Sequence, residues 1–141
     1  MMENLGLVTL DWDSASEKVS FAEFPLKGLE RVLNTILPDE RLGKIDDWEY
    51  MDDTEILKKL ELDRFASNVI YAITDISYVK NVGVFEIQLQ DFKKFTTMYF
   101  NEYRECFFSG CDVILILPHD NAIFFVHHSV ELFFYRLPLS R

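Results

Sequence analysis

Two short apolar runs near the end of the chain constrain the fold more than any other feature of the sequence. Val113–Leu117 and Ala122–Val126 are each five uninterrupted apolar residues, and residues 118–121 (Pro-His-Asp-Asn) separate them. A membrane helix needs about 20 apolar residues, so runs of this length are typical of buried strands. Because a turn-forming sequence joins them, we predict an antiparallel hairpin, followed by a last strand over Glu131–Leu137.

Patterns typical of strands and helices alternate through the rest of the chain. Phe65–Ile76 fits a helix as well as a strand, and its β-branched and aromatic residues favour a strand over Asn68–Ile76. Asp52 and Glu55 have the spacing of a helix capping box. The other predicted elements are strands over Leu5–Trp12, Val19–Phe24 and Val82–Gln90, helices over Pro25–Pro38, from Asp52 onward and over Asp91–Phe108, turns over Asp13–Lys18 and Tyr78–Asn81, and a polar connection over Asp39–Met51.

The length and the composition of the chain predict its fold class. A chain of 141 residues is about one domain long, and a hydrophobic content of 49% is enough for one packed core. The sequence shows no internal repeat and no linker that would divide it. We therefore predict a single α+β domain over residues 1–141, with an antiparallel-rich sheet and about three helices packed on one face.

The net charge of the chain disfavours partners that are themselves negatively charged. The formal net charge is −10, which disfavours nucleic acid and anionic membrane surfaces. Residues 1–75 contribute most of it, with 17 acidic and 8 basic residues and a net charge of −9. The N-terminus has no basic region followed by an apolar run, and a bond between Cys106 and Cys111 would close only a small loop. We therefore expect a cytoplasmic protein with reduced thiols.

The strongest functional candidate is the acidic segment Asp39–Glu55. It contains eight acidic residues and two basic residues, with Trp48, Tyr50 and Met51 placed among them. Because like charges repel, such crowding costs stability unless a basic partner uses it. The alternative interpretation is a solvated acidic loop. A calcium-binding loop is disfavoured, because Asp46–Asp52 lacks the alternating ligands and the central glycine of an EF-hand. The predicted partner-binding residues are Asp46, Asp47, Trp48, Glu49, Tyr50, Asp52, Asp53 and Glu55.

Catalytic and cofactor motifs are not apparent in the sequence. It contains no GxSxG nucleophile elbow, no GxGxxG loop and no HExxH or CxxC spacing. His119 lies in the predicted turn of the hairpin, and His127 and His128 follow the second strand. Neighbouring strand residues point to opposite faces, so this histidine pair cannot jointly ligate a metal. We therefore predict a binding protein without a cofactor or metal; the alternative is a small enzyme or ligand-binding domain with its site near His119 and His128.

The closing hairpin carries a resemblance to a known class of proteins. The stretch from Cys111 through Val113–Leu117 to Pro118, and then Ala122–Val126 with His127 and His128, is similar to the terminal hairpin of several immunity proteins of bacterial polymorphic toxins. Those of contact-dependent growth inhibition systems are the nearest comparison. The resemblance covers about thirty residues of 141. It implies binding of a cognate toxin domain, often a basic nuclease, in a 1:1 complex that covers the site for nucleic acid.

Overall fold

One antiparallel sheet runs through the part of the chain that the structure describes. The structure is a computed structural model, and it describes residues 7–19, 26–44, 50–108, 112–127 and 131–137. The strands in chain order are β1 (Val8–Leu10), β2 (Glu40–Lys44), β3 (Val69–Ile73), β4 (Val84–Gln88), β5 (Val113–Leu117), β6 (Ala122–Val126) and β7 (Glu131–Arg136). They form a seven-stranded sheet in the order β1-β4-β3-β5-β6-β7-β2, in which every pairing is antiparallel.

Helices cover both faces of this sheet. The described helices are α1 (Trp12–Lys18), α2 (Leu29–Leu33), α3 (Asp53–Leu60), α4 (Asp75–Val79) and α5 (Phe92–Tyr103). One core contains residues of α3 and α5, and a separate core contains residues of α1 and α2. The predicted α+β class with an antiparallel sheet is confirmed. The prediction that about three helices pack on one face is wrong, because the two cores lie on opposite sides of the sheet.

The central strand β5 explains why two helix layers are needed. All five of its residues are buried, and they alternate between the two cores. Leu115 packs on the side of α3 and α5, whereas Ile114 and Ile116 pack on the side of α1 and α2. A strand that is apolar on both faces must be covered on both faces. The uninterrupted apolar run of the sequence therefore requires a three-layer arrangement.

Several predicted elements are confirmed by the structure. The hairpin of β5 and β6 pairs Val113 with Val126 and Leu117 with Ala122, and a 3₁₀ turn over Pro118–Asp120 joins the strands. The ambiguous Phe65–Ile76 contains the strand β3, as preferred. The strands predicted over Val82–Gln90 and Glu131–Leu137 correspond to β4 and β7, and the capping box begins α3.

Two polar segments that were predicted to be a turn and a connection form regular secondary structure instead. The strand predicted over Leu5–Trp12 is limited to β1 in the described residues, and Asp13–Lys18 lies in the helix α1 rather than in a turn. The side chain of Asp11 caps this helix by accepting a hydrogen bond from the Ser14 amide at 2.8 Å. The connection predicted over Asp39–Met51 contains the strand β2, which pairs with β7 at one edge of the sheet. All five residues of β2 are exposed, so the sequence has no apolar alternation there.

The boundaries of several other helices and strands differ from the predicted ones. The helix α4 follows β3 where the sequence predicted the end of a strand and a turn over Tyr78–Asn81. The helix α5 ends at Tyr103, because Arg104 adopts a left-handed conformation with φ of 60°. Within the described residues, the helix predicted over Pro25–Pro38 is a 3₁₀ turn over Leu26–Gly28 followed by the short α2. Most of the strand predicted over Val19–Phe24 lies outside the described residues. No helix in the described ranges is long and apolar enough to span a membrane.

Candidate functional site

The acidic start of α3 is the described part of the predicted partner-binding segment. Asp52 is the N-cap of the helix, and its carboxylate accepts a hydrogen bond from the Glu55 amide at 2.9 Å. The Glu55 carboxylate accepts the Asp52 amide in return at 3.0 Å. Both side chains are exposed, and each reciprocal bond uses one carboxylate oxygen. The capping box therefore orders two carboxylates at the surface, at the end of α3 where the helix dipole is positive.

Asp53 differs from its neighbours because it points into the protein. Only 9% of the residue is exposed, and its carboxylate accepts the backbone amides of Phe107 at 2.8 Å and Phe108 at 3.0 Å. Burial raises the pKa of Asp53, against the lowering effect of the two hydrogen bonds, and the nearby charge of Asp52 raises the pKa further. In this structure Asp53 fixes the segment after α5 to the start of α3, and its carboxylate does not belong to the exposed acidic surface.

Tyr50 presents an aromatic ring beside the capping box. It is 80% exposed, which is unusual for so large an amphipathic side chain in a protein with a well-packed core. The other four predicted binding residues, Asp46, Asp47, Trp48 and Glu49, lie outside the described residues. Tyr50, Asp52 and Glu55 together are referred to below as the acidic surface.

Two acids at the beginning of the acidic segment belong to the edge of the sheet. The Asp39 carboxylate accepts the backbone amide of Arg136 at 2.6 Å, so it holds the end of β7. Glu40 opens β2 opposite Phe134 and is exposed. The acids of the segment that the structure describes therefore divide into those that hold other backbone segments, Asp39 and Asp53, and those that face solvent, a division that composition did not reveal.

Phe100 extends the aromatic part of the acidic surface and was not among the predicted residues. It is 42% exposed, and with Asp52, Thr97 and Cys106 it lines a depression of about 240 Å³. The sequence contained a signal for its exposure. Phe95 and Tyr99 lie on the buried stripe of α5, and Phe100 follows Tyr99 by one residue, which turns it about 100° away from that stripe.

Cys106 also lies at this surface, beyond the end of α5. The residue is exposed, although the helix predicted over Asp91–Phe108 would have included it. Partial burial of the thiol raises the pKa of Cys106, and the negative charges of Asp53 and Asp52 raise it further. A raised pKa keeps the thiol protonated at neutral pH and lowers its nucleophilicity.

The alternative site near His119 contains a structural hydrogen-bond network. The Asp120 carboxylate accepts the amides of Ala66 and Ser67 at 3.0 Å each and the Ser67 hydroxyl at 2.7 Å. The backbone amide of His119 donates to the same hydroxyl at 3.0 Å. Although burial acts to raise it, these hydrogen bonds lower the pKa of Asp120 below its usual value. This network fixes the turn between β5 and β6 to the loop that precedes β3.

His127 lies at the far end of β6 from that turn. Its ring packs edge-on against Phe125, with centroids 5.6 Å apart, and near Phe133 at 6.2 Å. His128, the other residue of the alternative site, lies outside the described residues. Where the chain is described, no three histidine, cysteine, aspartate or glutamate side chains converge in a way that could hold a metal ion.

Comparisons with known proteins give no relative from which a role could be transferred. No protein family, no curated protein and no solved structure matches the chain. The residues of the site are therefore assigned from their geometry alone.

Proposed function

We propose that this protein is a cytoplasmic immunity protein that binds a basic toxin domain, most simply a nuclease, and neutralises it by covering its active site. The protein acts as a stoichiometric 1:1 inhibitor and not as an enzyme. The observation that carries the proposal is the acidic surface, where Asp52 and Glu55 are exposed beside a tyrosine that is 80% exposed. The similarity of the closing hairpin to immunity proteins supports the same function.

The charge distribution favours a partner that normally binds phosphates. The acidic segment has eight carboxylates in residues 39–55, and the whole chain has a net charge of −10. A nuclease binds its substrate with a basic surface, and carboxylates can occupy the positions of the phosphates. Complementary charge raises association rates to about 10⁸–10⁹ M⁻¹ s⁻¹ at low salt, compared with about 10⁵–10⁶ M⁻¹ s⁻¹ for a neutral pair.

Aromatic residues beside the carboxylates supply the contacts that hold the complex. Tyrosine and tryptophan are enriched among the residues that dominate binding energy at protein interfaces. Phe100 is exposed and lines the depression beside Asp52, Tyr50 is exposed and precedes Asp52 by two residues, and Trp48 belongs to the same segment of the sequence. In this proposal the carboxylates select the partner and accelerate encounter, whereas the aromatic side chains slow dissociation.

The test has two stages. In the first stage, the immobilised protein captures partners from native lysate at low and high salt. In the second stage, the captured partner is purified and its association and activity are measured. We expect one basic protein whose association rate in stopped-flow experiments falls steeply with salt, because the Debye length shortens to about 8 Å near 0.15 M. Its activity on nucleic acid should then be titrated to zero at one equivalent of this protein.

A matched pair of variants assigns the interface. Asp47→Lys with Glu49→Lys reverses two charges in the acidic segment, and Asp13→Lys with Glu17→Lys reverses two charges in α1. The second variant makes the same change in net charge on α1, which packs on the face of the sheet opposite α3. The first variant should slow association by about tenfold or more, and the second should change it much less.

Two results would contradict the proposal. If both variants slow association equally, total charge and not the acidic segment drives the encounter. If the captured partner is not basic, or if its activity persists in the 1:1 complex, the protein is not an inhibitor of the proposed kind.

A further inference from the structure

A large cavity of the described structure lies along α3 and adjoins the acidic start of that helix. It is a groove of about 1200 Å³ bounded by α3, the turn after it, the loop between β4 and α5, and the first turn of α5. Typical small-molecule sites have volumes of about 300–1,000 Å³, so the groove can accommodate an organic ligand. Thr54 lies at one end, where the groove meets the depression beside Asp52.

The floor and the rim of the groove have different chemistry. Leu57, Leu62 and Leu89 form the apolar part of its lining and continue the main core. Three amide side chains, from Asn68, Gln88 and Gln90, are exposed along the rim and can donate or accept hydrogen bonds. Apolar surface with a few polar groups around it is the usual composition of a ligand site.

The charges of the groove favour a negatively charged ligand. Lys58 from α3 and Lys93 from α5 line it and are exposed, and neither forms an ion pair with another described residue. The third cation, Arg64, is already engaged, because it lies 3.8 Å from the Glu61 carboxylate and over the ring of Phe65. Glu61 and Asp63 are the two acids of the lining, so its three cations leave a net charge of +1. Asp63 is the opposing acid, because it forms no ion pair with another described residue. Two available ammonium groups therefore face one available carboxylate in a protein of net charge −10.

We infer that this groove binds a small amphipathic organic anion, whose apolar body covers the exposed parts of Leu57 and Leu89 and whose anionic head group lies between Lys58 and Lys93. Asp52 and Glu55 are close to the groove, since Glu55 precedes Lys58 by three residues on α3, but neither of these two acids lines it. The site is separate from the acidic surface, and its occupancy does not depend on the proposed immunity function.

The fluorescent anion anilinonaphthalene sulfonate is a suitable probe, because it combines an aromatic body with one sulfonate. Binding to the folded protein is measured by fluorescence titration and by calorimetry. We expect saturable binding of one probe per chain. Decanoate and decyl phosphate should both displace it, and their relative potency distinguishes a carboxylate from a phosphate head group. Decanol, which has the same chain length without a charge, should compete at least about tenfold more weakly.

Neighbouring lysines provide a matched control for the two cations. Lys58→Glu with Lys93→Glu should weaken binding of the probe by about tenfold or more. Lys59→Glu with Lys94→Glu makes the same charge change on the same two helices, at exposed residues that do not line the groove, and should change binding by no more than about twofold. Asp63→Asn removes the opposing acid and should strengthen binding. All these residues are exposed, so each variant should keep the fold, which far-ultraviolet circular dichroism verifies.

Three outcomes would overturn the inference. The first is the lack of saturable binding to the wild-type protein. The second is an equal loss of binding in both double variants, which would show that the probe responds to total charge. The third is displacement by decanol as effectively as by decanoate, which would show that the lysines do not select the head group.

Discussion

Replacing Asp53 with alanine should destabilise the protein far more than its position in an acidic surface segment suggests. Its carboxylate accepts the amides of Phe107 and Phe108, and both phenylalanines are almost fully buried. A buried donor that loses its acceptor costs about 1–3 kcal/mol, so two of them cost about 2–6 kcal/mol. Removal of a carboxylate whose burial is itself unfavourable offsets part of this loss. We therefore expect the free energy of unfolding to fall by about 3 kcal/mol.

The assay is urea unfolding followed by tryptophan fluorescence and circular dichroism. Asp52→Ala is the matched control, because it removes the adjacent carboxylate and a helix cap at the surface, which should cost about 1 kcal/mol. Asp53→Asn keeps one acceptor oxygen and should lie between the two. If Asp53→Ala costs no more than Asp52→Ala, the two hydrogen bonds do not hold the segment after α5, and the structural role assigned to Asp53 is wrong.

The pH dependence of the same variants gives an independent check. The pKa of Asp53 is raised in the folded state, mainly by burial, so the folded protein holds this proton more tightly than the unfolded chain does. The part of its contribution that comes from this tighter proton binding is then fully present below the unfolded pKa of about 3.8 and is lost as the pH rises through the folded pKa, whereas the two amide hydrogen bonds are lost in Asp53→Ala at any pH. The stability difference between wild type and Asp53→Asn should therefore shrink as the pH rises through that range. A difference that grows with pH would contradict the assigned direction.

Three further predictions test the fold around the site. Gly83→Ala should cost about 3 kcal/mol in urea unfolding, because φ is +85° and an added Cβ would collide with the Leu10 carbonyl oxygen. Gly28→Ala has open space around the added Cβ and should be nearly neutral. Asp120→Ala should cost about 2 kcal/mol at neutral pH by the same assay, and less as the pH falls through its lowered pKa. Burial and the charge of Glu30 raise the pKa of Tyr78 to about 12. The folded protein should therefore lose stability as the pH rises from 10 to about 12, because ionisation of the Tyr78 hydroxyl is easier in the unfolded chain. Tyr78→Phe should lose less stability over that interval in the same assay.

The strongly patterned elements of the fold were predictable from the sequence. The apolar runs of β5 and β6, the alternation of β4 and the capping box of α3 each appear where the sequence placed them. The polar edge strand β2 was missed, because all its residues are exposed and its place is fixed by pairing with β7. The short helices α1 and α4 were missed for a related reason, since five to seven residues carry too little periodicity.

The candidate site was only partly predictable. Charge density identified the acidic segment, and the capping-box spacing predicted the pairing of Asp52 with Glu55; both signals depend on local sequence. The orientation of Asp53 was not predictable, because its partners Phe107 and Phe108 are more than fifty residues away in the chain. The exposure of Phe100 depends on which stripe of α5 the sheet covers, and the groove between α3 and α5 exists only after the two helices have packed.

The sequence by itself determined the α+β class, the antiparallel hairpin at its centre and the concentration of negative charge in the first half of the chain. These properties depend on residue type and on spacing between near neighbours. The tertiary structure decided that helices cover both faces of the sheet, that one acid of the segment turns inward and that two lysines from different helices line a single groove. Each of these requires contacts between residues far apart in the chain, which local patterns do not encode.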